Sequence, residues 1–460
     1  MRDALIIGGG ITGLSAAYEL VRGGARPTLA EAEARLGGVI QTEAVEGCVL
    51  EGGPDSFLSA KPAAAELIRE LGLGGEIIAS NDHSRITYLV KNGRLLAMPD
   101  GLMMMVPTKV LPVAASPLLS WATKFRMGFE YFRRPPAAEP EDRTVADFIR
   151  SHYGQETVDY LAEPLLSGVY GGSVERLSVN SVLPRFVELE RKYGSLTRGV
   201  LAARAARRGR PSQEEPLFQT MRGGLAQLTG ELERRVRPAA EIIHGRVESV
   251  ERDGGGFRAR IEGSWIEARN VIGAGPAWAM GEILEPVDSE LGGLLRGIDY
   301  SSSLTLALGY RAADIGPLPP GFGFLVPARE RRTLTACTFV GAKFPCRVPD
   351  SHVVLRCFLG GAGQEAVLDR TDEDLLETVQ EELRGLLGWR AKPAFVRISR
   401  WRRSMAQYEV GHAARIARIE ARLKALPGLS LAGNAYSGIG IPDCIRTGRA
   451  AARAALARLG

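Results

Sequence analysis

Residues 3–38 read DALIIGGGITGLSAAYELVRGGARPTLAEAEARLGG, and the reading of the fold starts there. Residues 4–7 are a short apolar run, the pattern of a buried strand. Gly8, Gly10 and Gly13 follow as G-x-G-x-x-G, where a strand turns into a helix. Gly8 allows the tight turn, Gly10 lets backbone approach a pyrophosphate, and Gly13 lets the helix pack closely on the sheet. Ile11, Leu14, Tyr18 and Val21 share one helical face, and Gly23 and Gly24 stop the helix. Residues 26–30 form a second, weaker strand with Glu31 at its end. An acid there accepts hydrogen bonds from a ribose 2'- and 3'-hydroxyl pair and repels a 2'-phosphate. Strand, turn, amphipathic helix and terminal acid together predict a dinucleotide site; a lone glycine-rich turn would not.

The chain of 460 residues is long enough for two or three domains with a large core. Its net charge of +5 suits an anionic ligand or lipid surface without demanding either. Basic residues are spread along the chain rather than gathered in runs, which argues against nucleic acid. The five cysteines are scattered and none forms C-x-x-C, so neither a disulfide framework nor a metal site is predicted. That usage fits a reducing cytoplasm, and the first strand begins too early to leave room for a signal peptide.

Several later stretches bring glycine-rich backbone close to something. Residues 53–57 (GPDSF) turn sharply after a strand, residues 163–173 (EPLLSGVYGGS) end a helix in glycines, and residues 431–445 (LAGNAYSGIGIPDCI) run from a strand through a turn into a helix. The positive end of that last helix would favour negative charge on a ligand. Asn92-Gly93 marks a hairpin between apolar runs. Residues 246–251 and 271–275 read as strands, the latter returning beside the first. Residues 300–310, 321–327, 332–339 and 353–359 read as a largely antiparallel sheet. Residues 102–121 are apolar but broken by Pro107, Lys109, Pro112 and Pro117, so they do not span a membrane. With Lys124, Arg126, Arg133 and Arg134 they suit either an interfacial face or a core with a basic edge. Residues 135–141 read as a linker and 204–215 as a charged loop.

With Arg35-Leu36-Gly37-Gly38 placed just after the ribose acid, the sequence resembles the FAD-binding amine-oxidase and porphyrinogen-oxidase superfamily. GPDSF, EPLLSG, residues 400–412 (RWRRSMAQYEVGH) and GIGIPDCI resemble porphyrinogen oxidases of the Gram-positive bacterial type most closely. Two positions depart from the wider pattern: Ala406 replaces a proline, and Asn434 stands where many flavoproteins have Asp or Glu. The resemblance implies an α/β plus α+β fold: a discontinuous Rossmann-like FAD-binding domain, a mixed-sheet substrate domain and an inserted helical domain. The FAD domain would comprise residues 1–80, 211–285 and 401–460. The substrate domain would comprise the hairpin 81–101 and the sheet 286–400, and the helical, membrane-facing insertion residues 102–210.

The same resemblance implies non-covalent FAD and oxidation of a porphyrinogen by dioxygen with release of hydrogen peroxide. Coproporphyrinogen III is the preferred substrate, protoporphyrinogen IX the alternative, and an amine oxidase or a non-catalytic flavin scaffold a more distant one. Cofactor contacts fall on Gly8, Gly9, Gly10, Ile11, Thr12, Gly13, Glu31, Ala32, Arg35, Gly37, Gly38, Val39, Gly53, Pro54, Asp55, Ser56, Val247, Trp401, Gly433, Asn434, Ile439, Gly440 and Ile441. Substrate contacts fall on Gly168, Gly171, Leu325, Thr338 and Phe358, with Arg94 standing in for a propionate-binding arginine whose position is taken by Leu96. Arg176 and Lys343 are further candidate cations. No side-chain catalyst is assigned, because such chemistry needs positioning and an electron acceptor more than a base. The expected location is cytoplasmic, with peripheral contact on the inner face of the membrane, and the oligomeric state is open between monomer and homodimer.

Overall fold

The computed structural model describes residues 1–138, 141–206 and 216–460. Most of the expected linker 135–141 and the first residues of the expected loop 204–215 are among them; residues 139, 140 and 207–215 lie outside. Two seven-stranded sheets carry the fold. The first strand, Arg2–Ile7, pairs in parallel with Pro27–Glu31 on one side and Ser264–Gly273 on the other, placing Leu5 between Thr28 and Val271. Ala4, Leu5 and Ile6 are fully buried, as a strand covered on both faces requires. Glu241–His244 extends the sheet beyond Pro27–Glu31, Leu429–Leu431 joins Ser264–Gly273 in parallel, and the antiparallel strands Gly256–Ile261 and Val247–Asp253 complete it.

The helix Ile11–Arg22 leaves the glycine turn and packs against the last helix, Ile441–Leu459. Their contact is tight at Gly448, where a Cβ would lie 2.3 Å from the Thr12 carbonyl oxygen. Arg449 and Arg453 reach Glu19 across the same interface, at 2.7 and 2.8 Å. Residues more than 400 apart in sequence are thereby fastened around one turn.

The second sheet runs in the order Phe395–Ala406, Tyr300–Arg311, His352–Gly360, Leu334–Phe339, Gly323–Leu325, Thr87–Lys91, Arg94–Ala97. All its pairings are antiparallel except that of Gly323–Leu325 with Thr87–Lys91. Asn92 and Gly93 both have positive φ (52° and 67°), the twist a two-residue hairpin needs. One face of the sheet is covered by the helix Asp372–Leu387, whose Leu375, Val379 and Leu383 pack with Leu304, Leu306 and Phe324. The strand expected over 321–327 is shorter, Gly323–Leu325. The strand Phe395–Ala406 is continuous across position 400, so the expected boundary there falls inside a strand of the second sheet. Nine of its twelve residues pair with Tyr300–Arg311, with an irregularity opposite Ser301–Ser303 that leaves residues 402–404 unpaired.

The inserted segment is helical, with Trp121–Glu130, Val145–Tyr153, Glu163–Tyr170, Pro184–Tyr193 and Leu196–Ala205 among its helices. A buried network ties it together. Glu130 accepts hydrogen bonds from the Ser195 hydroxyl (2.8 Å) and the amides of Leu196 (2.6 Å) and Thr197 (3.2 Å), and it faces His152 Nδ1 at 2.8 Å. Burial raises the cost of its charge, but these partners outweigh it and hold its carboxyl down to about 2. Glu190 meets the other nitrogen of His152 at 3.0 Å and accepts from Arg143.

Candidate functional site: a glycine-lined cofactor cleft

The cleft begins at the turn after the first strand. Gly8 has φ +107°, and its amide donates to the Ala30 carbonyl at 2.8 Å. A Cβ on Gly13 would lie 1.9 Å from the Gly8 carbonyl oxygen, so only glycine lets the helix Ile11–Arg22 start this close. Gly9 donates its amide to Glu31 at 2.6 Å, and the second Glu31 oxygen accepts from the Glu33 amide at 2.8 Å. The Glu31 carboxylate is thus aimed by backbone while its remaining lone pairs stay available. Ala32 follows it on the exposed bend.

Gly37 bonds back to the Gly9 carbonyl at 2.9 Å, and Gly38 approaches Gly10 so closely that a Cβ would sit 3.1 Å from its Cα. Arg35 supports this loop from beneath by donating to the carbonyls of Leu36 (3.1 Å), Ile40 (3.2 Å) and Gly38. Val39 next to it is 43% exposed, an apolar side chain on the open side of the cleft. Gly53 lies so near Val39 that a Cβ would be 1.8 Å from the Val39 carbonyl oxygen. Trp401 Nε1 and Thr305 Oγ1 each donate to the Gly52 carbonyl at 2.8 Å, joining the second sheet to the cleft. Val247 begins a strand two residues after Gly245, whose amide donates to the Glu31 carbonyl at 2.8 Å.

On the far side, Gly433 (φ +131°) faces Thr12, 3.8 Å from where its Cβ would be. Gly440 caps the final helix, with Ile439 before it and Ile441 its first residue. Asn434 points away from this loop: its amide donates to the Ser404 carbonyl at 2.9 Å, pinning the loop to the second sheet. An acid there would place a charge against that carbonyl, which explains why Asn suits this chain. The helix N-terminus also carries Asp443, buried and ion-paired to Lys61 at 2.6 Å. The dipole therefore already has one carboxylate near it.

The substrate positions converge in part. Leu325, Ala336, Phe358 and Thr305 are cross-strand neighbours in one row, and Thr338 and Arg356 pair in the next row on the same face. The helix Glu163–Tyr170 lies over this face, with a Cβ on Gly168 3.8 Å from Leu325. Gly171, at φ +58°, ends that helix and lines a cavity of about 590 Å³ shared with Ser167, Thr335, Gly361 and Arg331. Arg94 stands apart. It is exposed on the edge strand, four strands from Phe358, roughly 19 Å at the usual inter-strand spacing. Arg176 is engaged by Asp299 and Glu409, and Lys343 by Asp55, so neither is a free cation for a propionate.

Two groupings were not legible in the sequence, although Asp55, Lys343 and the 400–412 motif were singled out one by one. Tyr408 stacks on His412 with ring centroids 4.1 Å apart, accepts the Gly438 amide at 2.9 Å and donates to the Asn434 carbonyl at 2.8 Å. Burial lowers the His412 imidazole to about 4, so the ring is neutral at pH 7 and serves as a flat support. Glu51, Asp55, Lys343, Arg347 and Arg356 form a buried charged cluster under Gly53. No spacing could announce it, because its members lie up to about 300 residues apart.

The residues present fit an FAD. Gly9, Gly13 and Gly53 leave backbone where a Cβ would clash, Gly8, Gly37 and Gly38 take positive φ, and the Glu31 carboxylate keeps lone pairs that a ribose could use. Fold and cleft together define a flavin-dependent oxidoreductase. The description "Flavin containing amine oxidoreductase" covers the family model that matches residues 11–456, and the chain belongs to that family. It is similar over its whole length to "Coproporphyrinogen III oxidase" of Bacillus subtilis (strain 168), at 34% identity covering 100% of this chain and 98% of the relative. The enzyme of the same name from Propionibacterium freudenreichii is 31% identical, with 97% and 89% covered. The crystal structure of a provisionally named protoporphyrinogen oxidase from Exiguobacterium superposes with a TM-score of 0.88 at 31% identity, covering 99% and 98%.

Proposed function

We propose that the protein oxidises coproporphyrinogen III to coproporphyrin III, removing six electrons in three turnovers of its FAD, with dioxygen reduced to hydrogen peroxide. The observation that carries this reading is the apolar row Leu325–Ala336–Phe358, placed on the sheet face that reaches Gly52 through Thr305 and Trp401. A flat tetrapyrrole needs such a wall beside the flavin. The full-length relatives named for this reaction support it.

Bound FAD supplies the acceptor for a hydride from a meso carbon. The chain's own residues do the rest by positioning. Phe358 and Leu325 offer apolar area to the macrocycle. Trp401 and Thr305 fix the Gly52 carbonyl, so the sheet face and the cofactor loop keep one separation. Around the cavity, Asp159 and Glu163 are engaged by Arg329 and Arg331, at 2.9 and 2.8 Å, and so are poorly suited to act as bases. Aerobic turnover of coproporphyrinogen III and protoporphyrinogen IX, followed by porphyrin fluorescence with peroxide measured in parallel, tests the reading. A kcat/KM at least tenfold higher for protoporphyrinogen IX would replace the substrate while keeping the reaction class.

The helical insertion also suits peripheral contact with an anionic membrane surface. Its apolar stretch splits: Met105, Val106, Val113, Leu118 and Leu119 are core, whereas Trp121, Phe125, Phe129 and Phe132 are 63–73% exposed. The first three of these recur every four residues on the helix Trp121–Glu130, and Lys124, Arg126 and Arg133 flank them. Among the described residues, no helix is long and apolar enough to cross a membrane.

A further inference from the structure

We propose that the buried charge cluster under Gly53 is an electrostatic device that favours negative charge on the flavin ring, with Arg356 as the positioning residue that supplies the excess cation. Glu51 and Arg347 pair at 2.9 Å with side chains 2% and 1% exposed. Lys343 Nζ lies 2.9 Å from Asp55 and 3.2 Å from Ser56 Oγ. Arg356 is 3.8 Å from the Asp55 oxygen that Lys343 already holds, and it donates to the Gly53 carbonyl. Three cations against two carboxylates leave one net positive charge. Arg356 is the member whose nearest acid, Asp55, is held more closely by another cation, Lys343. Among the described residues its Nε is buried with no hydrogen-bond partner, and its guanidinium carbon lies 4.7 Å from the centre of the Phe358 ring. Burial pulls Arg356 below its ordinary basicity, and Asp55 and Glu51 oppose that pull. For Asp55, burial favours the neutral acid, but Lys343 and Arg356 outweigh it and hold the carboxyl well below its usual range.

A net charge shut away from water is costly unless a counter-charge sits nearby. The Arg356 side chain donates to the Gly53 carbonyl, Gly53 abuts Val39, and Gly38, beside Val39, abuts Gly10 of the first glycine turn. The anion that this cluster awaits is the flavin ring, which gains negative charge when it takes up two electrons. Fixed charge aimed at where negative charge develops lowers the cost of forming it. The inference depends on the flavin and is independent of which porphyrinogen is oxidised.

Sulfite tests it without substrate. Its sulfur lone pair adds to N5 of oxidised flavin: one S–N bond forms, the N5=C4a π bond breaks, and its electron pair moves into the ring toward N1, which becomes negatively charged. Bleaching of the visible flavin band in the holoenzyme reads the affinity. Arg356→Gln takes the cluster to zero net charge and should weaken sulfite binding at least about tenfold, whereas Arg356→Lys keeps it near wild type. Asp55→Asn takes the cluster to +2 and should tighten it. A merely structural role would move both charge-altering variants the same way. Sulfite affinity unchanged or weakened in Asp55→Asn overturns the proposal, even if Arg356→Gln fails to retain flavin. Unchanged sulfite affinity in both variants, with weaker coproporphyrin III binding in Arg356→Gln, also overturns it and assigns the cation to a substrate carboxylate.

Discussion

Gly13→Ala should abolish flavin binding, and the size of the effect can be worked from one contact. The new Cβ would stand 1.9 Å from the Gly8 carbonyl oxygen, 3.0 Å from the Gly8 carbonyl carbon and 3.3 Å from Ile6 Cγ2. Ordinary contact begins at 3.4 Å, so the helix must withdraw by about 1.5 Å (3.4 − 1.9). It has no room to do so, because on its other side Thr12 abuts Gly448 of the last helix, where a Cβ would meet the Thr12 oxygen at 2.3 Å. Strain of this kind costs about 1–3 kcal/mol when side chains can adjust, and here the obstacle is backbone. The turn must open, which displaces Gly9 from Glu31 and Gly10 from Gly38 together. Flavin per chain, read from visible and near-ultraviolet absorbance, should fall to a small fraction of one, with a lowered Tm. Gly230→Ala is the matched control: it lies within the helix Ala226–Val236 with open space at its Cβ. It should keep its flavin and gain up to about 1 kcal/mol. Gly13→Ala protein with one flavin per chain and a wild-type melting curve would refute the packing argument.

Three further outcomes are expected. Phe358→Ala should lower kcat/KM by an amount set by about 1–3 kcal/mol of lost apolar contact; unchanged kinetics in a flavin-replete variant would put the ring outside the substrate wall. Glu130, held at about 2 against an ordinary 4.5, contributes about 3 kcal/mol that is fully present above pH 4.5 and lost as pH falls toward 2. Glu130→Gln should therefore flatten the acid limb of a urea-denaturation stability profile, and an unchanged limb would contradict the assignment. Replacing Phe125 and Phe129 by Ser should reduce sedimentation with anionic vesicles, and wild-type binding should weaken with salt; equal binding by both proteins would move the contact elsewhere.

What the sequence determined by itself is local. The Rossmann-like turn was legible because a tight strand-to-helix junction needs glycine at fixed offsets, and Gly8, Gly10 and Gly13 report that need within six residues. The hairpin at Asn92-Gly93 was legible because positive φ restricts residue choice. Phe358 and Leu325 were named through the family resemblance, and only the sheet sets them in one row. The tertiary structure alone decided which cations are free. Arg94, Arg176 and Lys343 look alike in sequence, yet one lies on a distant edge and two are held by carboxylates. It also assembled Glu51, Asp55, Lys343, Arg347 and Arg356 from three separate stretches of chain. Backbone geometry constrains neighbours in sequence, so turns announce themselves. A charge interacts through space with whatever the fold brings near it, and that information is absent until the sheets are paired.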